Sequence, residues 1–282
     1  MRSQFRRAPG GLGQTRSQEA TPMRLAGRAM LVTGGGGGLG RAMAEGFARE
    51  GGAVAVTDVN LDAARSVARG IEERGGRALA QLMDVTSEEQ VDRGVTEVAR
   101  VLGRVDVVVS NAGVQHIAPI TDFSLADWRR VLSIHLDGGF LLTRAAMRHW
   151  QSAGKGGLLL YMGSVHSVEA SPLKAAYVAA KHGLLGLARA AAKEGARIGV
   201  RTNVICPGFV RTPLVERQIP EQARTLGISE EEVVKKVMLG STVDGEFTTL
   251  EDIAQLAVDL AAFPSAALTG QLVVASHGWH MH

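Results

Sequence analysis

Seven short apolar, β-branched runs, at 29 to 33, 53 to 57, 77 to 82, 105 to 110, 157 to 162, 200 to 206 and 271 to 275, constrain this chain more than any other feature. They alternate with stretches of helical pattern near 39 to 50, 61 to 74, 87 to 102, 124 to 151, 172 to 198 and 249 to 263. A strand that is apolar almost continuously must bury both faces, and helices alternating with such strands cover a parallel sheet on both sides. The expectation is therefore a doubly wound α/β fold with a parallel sheet of about seven strands. A length of 282 residues suits a single domain of this class, spanning 25–282. Between the sixth and seventh strands, residues 213–240 break the alternation with two short helical segments and form a candidate substrate lid.

Charge excludes one class of partner. The net charge of +3 is carried by residues 1–22, where Arg2, Arg6, Arg7 and Arg16 face only Glu19, so the rest of the chain is formally neutral. No basic stripe interleaved with aromatic residues lies in the body, and nucleic acid is not an expected partner. Residues 1–24 lack apolar periodicity and read as a disordered extension, neither a secretory signal nor a clear transit peptide, with Met23 the expected start of translation. No apolar run reaches the length of a membrane span, so no membrane partner is expected. The single cysteine, Cys206, permits no internal disulfide and fits a reducing, cytoplasmic location; beside Pro207 it reads as a small buried strand residue.

The first strand runs into Thr33-Gly-Gly-Gly-Gly-Gly-Leu-Gly40 and then a helix. A glycine turn at a helix N-terminus presents unpaired N–H groups and a positive dipole end to a phosphate, which is the nucleotide cradle of a Rossmann fold. The second strand ends at Asp58, placed to accept hydrogen bonds from an adenosine ribose and to repel a 2'-phosphate. NAD is expected over NADP; the competing reading is a helix-capping aspartate.

Tyr177 and Lys181 stand four residues apart in a helical stretch, thirteen and more residues after Ser164, and so share a helix face. A free phenol titrates near 10 and is a poor base, but an adjacent ammonium favours the phenolate and can bring it toward ~7, a change of roughly 4 kcal/mol. The pair is thus a candidate acid/base.

Thr33-Gly34-x3-Gly38-x-Gly40, Asp84-Val85, Asn111-Ala112-Gly113, Ser164, Tyr177-x3-Lys181 and Pro207-Gly208 together resemble the short-chain dehydrogenase/reductase family, in order and spacing, over residues 25 to 275. The resemblance implies that Gly34, Gly38, Leu39 and Gly40 contact the pyrophosphate and adjoining ribose, and that Asp58 selects NAD. It further places Asp84 and Val85 beside the adenine, Asn111, Ala112 and Gly113 under the middle of the cofactor, and Pro207, Gly208, Val210 and Thr212 around the nicotinamide. Tyr177 would exchange the alcohol proton, Lys181 would lower its pKa and hold the nicotinamide ribose, and Ser164 would steady the substrate oxygen. His135 takes a position where the family often has Asn; its backbone role can survive, its imidazole can join a proton relay, or it can simply pack. Ser110 before Asn111, where Asn-Asn is common, is expected to matter little. Family members bury the long fourth and fifth helices against a second copy, which implies a homodimer or homotetramer.

Gln115, His166, Lys174 and Gln218 lie on segments that should converge above the nicotinamide, and a cation among neutral donors suits a small carboxylate. The blocks 111 to 116, 176 to 183 and 206 to 218 are similar to soluble bacterial 3-hydroxybutyrate dehydrogenases. That similarity implies oxidation of 3-hydroxybutyrate to acetoacetate, with those four residues on the carboxylate. Phe209 stands where the group often has Trp, and Ser276-His-Gly-Trp279 where it often has Asp-Gly-Gly-Trp, so the acyl pocket is expected to differ. The alternatives are a 3-oxoacyl thioester reductase and an NAD-binding sensor without catalysis. His277, His280 and His282 lack a supporting Cys or carboxylate cluster and read as a polar tail, not a metal site.

Overall fold

In a computed structural model, which describes residues 23–281, the seven expected strands are β1 (Ala29–Thr33), β2 (Ala53–Asp58), β3 (Arg77–Leu82), β4 (Val107–Ser110), β5 (Leu158–Met162), β6 (Arg201–Pro207) and β7 (Gln271–Ala275). They pair in one sheet of order β3-β2-β1-β4-β5-β6-β7, parallel throughout. Val32 on β1 is aligned with Val56 on one side and Val109 on the other, so the sheet order reverses at β1. The chains leaving β1 and β4 diverge there, opening a crevice outside the carboxyl ends of the strands. Of the extension expected at 1–24, only Met23 and Arg24 fall within the described residues; Arg24 already belongs to the domain, through Asp259 at 2.7 Å.

The helices are α1 (Gly38–Arg49), α2 (Leu61–Glu73), α3 (Glu88–Leu102), α4 (Leu125–Leu132), α5 (Gly138–Ala153), α6 (Ala175–Gly195), α7 (Pro213–Leu226), the single turn α8 (Glu230–Glu232) and α9 (Leu250–Ala262). Their apolar stripes divide between the two faces. Met43, Phe47, Val67, Ile71, Ile253 and Val258 cover one side of the sheet from α1, α2 and α9. Val91, Val98, Leu142, Trp150, Leu184 and Ala188 cover the other from α3, α5 and α6. Each fully buried side chain of this kind contributes on the order of 1.5–3 kcal/mol. Asn60, Ser87, Ser124 and Thr249 accept from backbone N–H groups at the starts of α2, α3, α4 and α9. The start of α1 has no such side-chain cap and no acidic residue in its first turn.

Two departures from the expected pattern matter for the site. The stretch expected as one helix over 124 to 151 is interrupted by a π-helical turn, Ser133–Asp137, because an additional residue is accommodated where His135 turns inward. In 213–240, α7 and α8 are followed by a second π-helical turn, Val233–Met238, and Ile219, Val233 and Met238 form a separate small apolar cluster with Phe209 and Phe247 against it.

Candidate active site

The crevice has a wide half and a narrow half. The wide half, about 690 Å³, begins at the glycine turn. Gly34 has φ +61°, a left-handed conformation, and a Cβ there would sit 2.9 Å from the Ala112 Cα. Gly40 is packed against the same turn, since its Cβ would lie 2.1 Å from the Gly34 carbonyl oxygen. Gly40 therefore does not join Gly34, Gly38 and Leu39 on the crevice wall; its small size lets α1 approach β1. At Gly37 and Gly38 the space is open, beside the uncapped N-terminus of α1. Unpaired N–H groups facing an open glycine cradle fit a phosphate-bearing nucleotide.

Asp58 ends β2 on the crevice wall, accepting from the N–H of Gly36 at 3.0 Å and of Asn60 at 2.9 Å. It thus fastens the glycine turn and caps its own loop while facing the crevice. Asp84 and Val85 line the adjoining wall. Asn111 is held by Thr33: its N–H donates to the Thr33 hydroxyl at 3.0 Å, and its side-chain amide donates to the Thr33 carbonyl at 2.9 Å. That places Asn111, Ala112 and Gly113 along the floor. Thr86, Arg130 and Arg217 also line this half. No sequence motif marks them, because they come from three unrelated segments.

At the junction of the two halves stand Ser164, Tyr177 and Lys181. The buried strand β5 delivers Ser164 to the top of the sheet, where its backbone carbonyl accepts from Ser167 at 2.8 Å and starts a 3-10 turn, Val165–Ser167. Tyr177 and Lys181 lie in the first two turns of α6. The chain's other tyrosine, Tyr161, is committed to Thr143 in the core at 2.6 Å. The Tyr177 ring and Ser164 line the same wall, and the Ser164 Oγ lies 3.4 Å from His166 Nδ1.

The electrostatics differ from the expectation. The Lys181 ammonium is 5.2 Å from the centre of the Tyr177 ring, but it donates to the Met162 carbonyl at 2.5 Å. Burial pushes the Tyr177 phenol up to about 12, opposed by the nearby Ser164 hydroxyl, and lowers Lys181 to about 8. Desolvation of the phenolate dominates, and the drop toward 7 expected from Lys181 is not found in the protein alone.

His135 packs edge-on against Tyr177, with ring centres 5.3 Å apart. Its Nε2 lies 3.1 Å from the Val114 nitrogen and 2.8 Å from the Val114 oxygen, and a Cβ on Gly113 would strike the ring. Burial, followed by the charge on Lys181, lowers His135 to about 3. The ring is a neutral imidazole, so the near-neutral titration expected of a relay histidine is lost.

The narrow half, about 100 Å³, brings together all five residues expected at the substrate: Gln115, His166, Lys174, Phe209 and Gln218, with Ser164 and Tyr177 in the same wall. Pro207, Gly208, Val210 and Thr212 border it on the β6 side, and Thr212 also reaches the wide half. Lys174 is only 3% exposed, its ammonium 4.5 Å from the centre of the Phe209 ring. Among the described residues no carboxylate pairs with it. It precedes α6, where the positive end of the helix dipole disfavours a cation, and Leu173 before it has φ +70°, a strained left-handed conformation. Burial lowers Lys174 to about 8. His166 is lowered to about 3 by burial and by the Lys174 charge, and its Nε2 is buried without a hydrogen-bond partner.

Trp279 closes the pocket, stacked on Phe209 at 5.2 Å and edge-on to His166 at 5.4 Å. The sequence places it only in a departing C-terminal motif; its role as a wall comes from tertiary packing. Cys206 is buried beside Ser167, as expected of a small strand residue. Among the described residues no His, Cys, Asp and Glu cluster could hold a metal, and no helix is long and apolar enough to cross a membrane.

Known proteins are similar to this chain in sequence and fold. The family model described as short chain dehydrogenase matches residues 28–223. The D-beta-hydroxybutyrate dehydrogenase of Rhizobium meliloti is 45% identical over 182 residues, 64% of this chain and 70% of that protein. A 3-oxoacyl-(acyl-carrier-protein) reductase of Thermotoga maritima is 31% identical over 251 residues, 89% of this chain and 97% of that protein. Among solved structures, sorbitol-6-phosphate 2-dehydrogenase from Erwinia amylovora superposes with a TM-score of 0.85 at 31% identity, covering 90% of this chain and all of that one.

Proposed function

Because the chain belongs to the short chain dehydrogenase family, an oxidoreductase family that works with a nicotinamide cofactor, we propose that it oxidises 3-hydroxybutyrate to acetoacetate with NAD. The observation that carries this reading is Lys174, a buried ammonium without a carboxylate partner among the described residues, in the pocket that also holds Ser164 and Tyr177. A buried cation is costly unless an anion completes it. A substrate carboxylate does so, with Gln115, His166 and Gln218 as neutral partners; the 45% identity to a D-beta-hydroxybutyrate dehydrogenase supports the same acid.

The wide half of the crevice suits the dinucleotide, held along Gly34, Gly38, Leu39, Asp84, Val85 and Asn111 to Gly113. Asp58 on its wall disfavours a 2'-phosphate by charge, which supports NAD over NADP. When bound, NAD would supply the hydride acceptor and a positive charge. Tyr177 would take the proton from the substrate hydroxyl oxygen as hydride leaves the carbon that bears this oxygen, and would return it when the ketone is reduced. In the protein alone the phenol is protonated at neutral pH, the state required to reduce a ketone. As a base it would need further stabilisation of the phenolate, which the positive charge of bound NAD would supply. Ser164, in the same wall as Tyr177, donates to the oxygen on which charge changes. Lys181 holds the ribose and anchors α6 to β5 through the Met162 carbonyl.

Residues 213–240 serve as the lid, since α7 carries Gln218 and Val215 into the narrow half. Two or four copies assemble through α4, α5 and α6; Phe140 on α5 is 47% exposed in the single chain, which supports burial there. A 3-oxoacyl thioester reductase is the second reading, supported by the Thermotoga maritima relative. NADH formation from (R)- and (S)-3-hydroxybutyrate, measured with wild type and Lys174→Ala, decides between them. One enantiomer is turned over and the substitution raises its KM. Absence of turnover with both, alongside reduction of a 3-oxoacyl thioester, supports the second reading; tight NAD binding with no turnover at all supports a sensor.

A further inference from the structure

The pocket wall at Trp279 stands on a segment with little regular structure to hold it. After β7 the chain turns at once: the Trp279 N–H donates to the Ser276 carbonyl at 3.0 Å, and the His280 N–H donates to the Ser276 hydroxyl at 3.2 Å. His277 has φ +51°, a left-handed conformation that a residue with a Cβ adopts at a cost, and Gly278 follows at φ +72°. Such a turn needs ties from outside, and each histidine provides one. His277 Nδ1 lies 2.6 Å from Asp244 Oδ2, and the Val243 N–H donates to the His277 carbonyl at 2.9 Å. His280 Nδ1 lies 2.5 Å from Glu169 Oε1.

The two anchor points belong to different parts of the site. Glu169 closes the 3-10 turn that carries His166, its N–H donating to the Val165 carbonyl at 3.0 Å. Asp244 lies in the loop that follows the second π-helical turn and returns to α9. Trp279 is therefore braced between the segment that bears Ser164 and His166 and the segment that ends the lid. Its ring meets Phe209, on which the Lys174 ammonium rests, and His166.

We propose that the pairs His280–Glu169 and His277–Asp244 are a clamp that positions Trp279 as the far wall of the substrate pocket, and that this clamp limits the length of acyl chain admitted. His277, His280, Glu169 and Asp244 are positioning residues; none lines the narrow pocket. The limit on acyl length rests on the proposed 3-hydroxy acid reading, whereas the clamp itself does not. Charge-assisted bonds hold a turn more firmly than neutral ones, and two of them on a four-residue segment leave Trp279 little freedom.

The test combines a structural and a kinetic readout on the full chain. Hydrogen exchange of the peptide covering 270 to 281 is measured by mass spectrometry in wild type, His280→Ala, Glu169→Ala, the double variant and His280→Gln. Exchange at 277 to 281 is expected to quicken about tenfold in each alanine variant and no further in the double, because both lose one interaction. His280→Gln, which keeps a side-chain donor, restores part of the protection. In the same proteins kcat/KM for 3-hydroxyhexanoate relative to 3-hydroxybutyrate rises about tenfold through KM, with kcat for the shorter acid within about threefold. Unchanged exchange in both alanine variants overturns the clamp. Faster exchange with an unchanged ratio overturns the limit on acyl length. If wild type turns over neither acid, that limit falls with the proposed function, and exchange alone decides the clamp.

Discussion

The wide and narrow halves of the crevice meet at Tyr177 but are built from opposite materials. The wide half is made by backbone: a glycine turn, the start of α1, and the Asn111 loop tied to Thr33. The narrow half is made by side chains that are costly to bury, with Lys174 and His166 both shifted toward their neutral forms. A backbone cradle recognises what many nucleotides share. A buried cation with no carboxylate partner among the described residues suits what one substrate class brings. On the proposed function, this difference assigns affinity for the cofactor to the first region and the choice of reaction partner to the second.

Breaking the junction should have the largest effect. Tyr177→Phe removes the proton carrier and should lower kcat by about a thousandfold or more in NADH-formation assays, within the range of general acid–base catalysis. Residual activity near wild type would remove Tyr177 from the chemistry.

Next comes the narrow half alone. Lys174→Ala should reduce kcat/KM for the acid about a hundredfold, the size of a lost charge-assisted contact. The pH dependence carries the same signature. Lys174 is charged below about 8, so the wild-type KM should climb as pH rises through that value, and this climb should be missing in Lys174→Ala. Stability should move the other way. With the folded pKa depressed to about 8 from the ordinary 10.5, the folded protein binds fewer protons than the unfolded chain between these values, and wild type gains stability as pH rises from about 8. Lys174→Met should unfold at higher denaturant at pH 7 and show a shallower gain over pH 8 to 10; lower stability than wild type at pH 7 would contradict an uncompensated buried cation.

Asp58 sharpens the comparison from the wide half. Asp58→Ala should cut the preference for NAD over NADP about tenfold, with NAD use itself weakened because the Gly36 N–H loses its acceptor. An unchanged cofactor ratio would leave Asp58 only its role as a loop cap. The smallest effect is expected at His135. As a neutral ring its replacement by Asn should change kcat by less than about tenfold and leave the rate profile between pH 5 and 7 without a lost titration. Disappearance of an acid limb in that variant would restore the relay reading.

The sequence makes the wide half legible because phosphate binding demands glycines at fixed spacing and apolar strands of defined length. All seven strands fall within about two residues of their expected bounds, the largest difference being β4, which starts at Val107. The narrow half is legible only in part. Gln115, His166, Lys174, Phe209 and Gln218 are foreseen as convergent segments, but Trp279 and its histidine ties arise from contacts between residues more than thirty apart in sequence, as His277 with Asp244 and His280 with Glu169. The π-helical turn at His135 is hidden because one added residue barely disturbs a helical pattern. The direction of the Tyr177 shift is missed for another reason: spacing reveals that Lys181 is near, while the degree of burial, which dominates, is a property of the folded site.

The most direct measurement of the central claim compares 3-hydroxybutyrate with its methyl ester, which keeps the reacting alcohol and removes the anion. Wild type should oxidise the acid with kcat/KM about a hundredfold above the ester, and Lys174→Ala should bring the two together. Equal use of acid and ester by wild type would contradict the assignment of Lys174 as the carboxylate site.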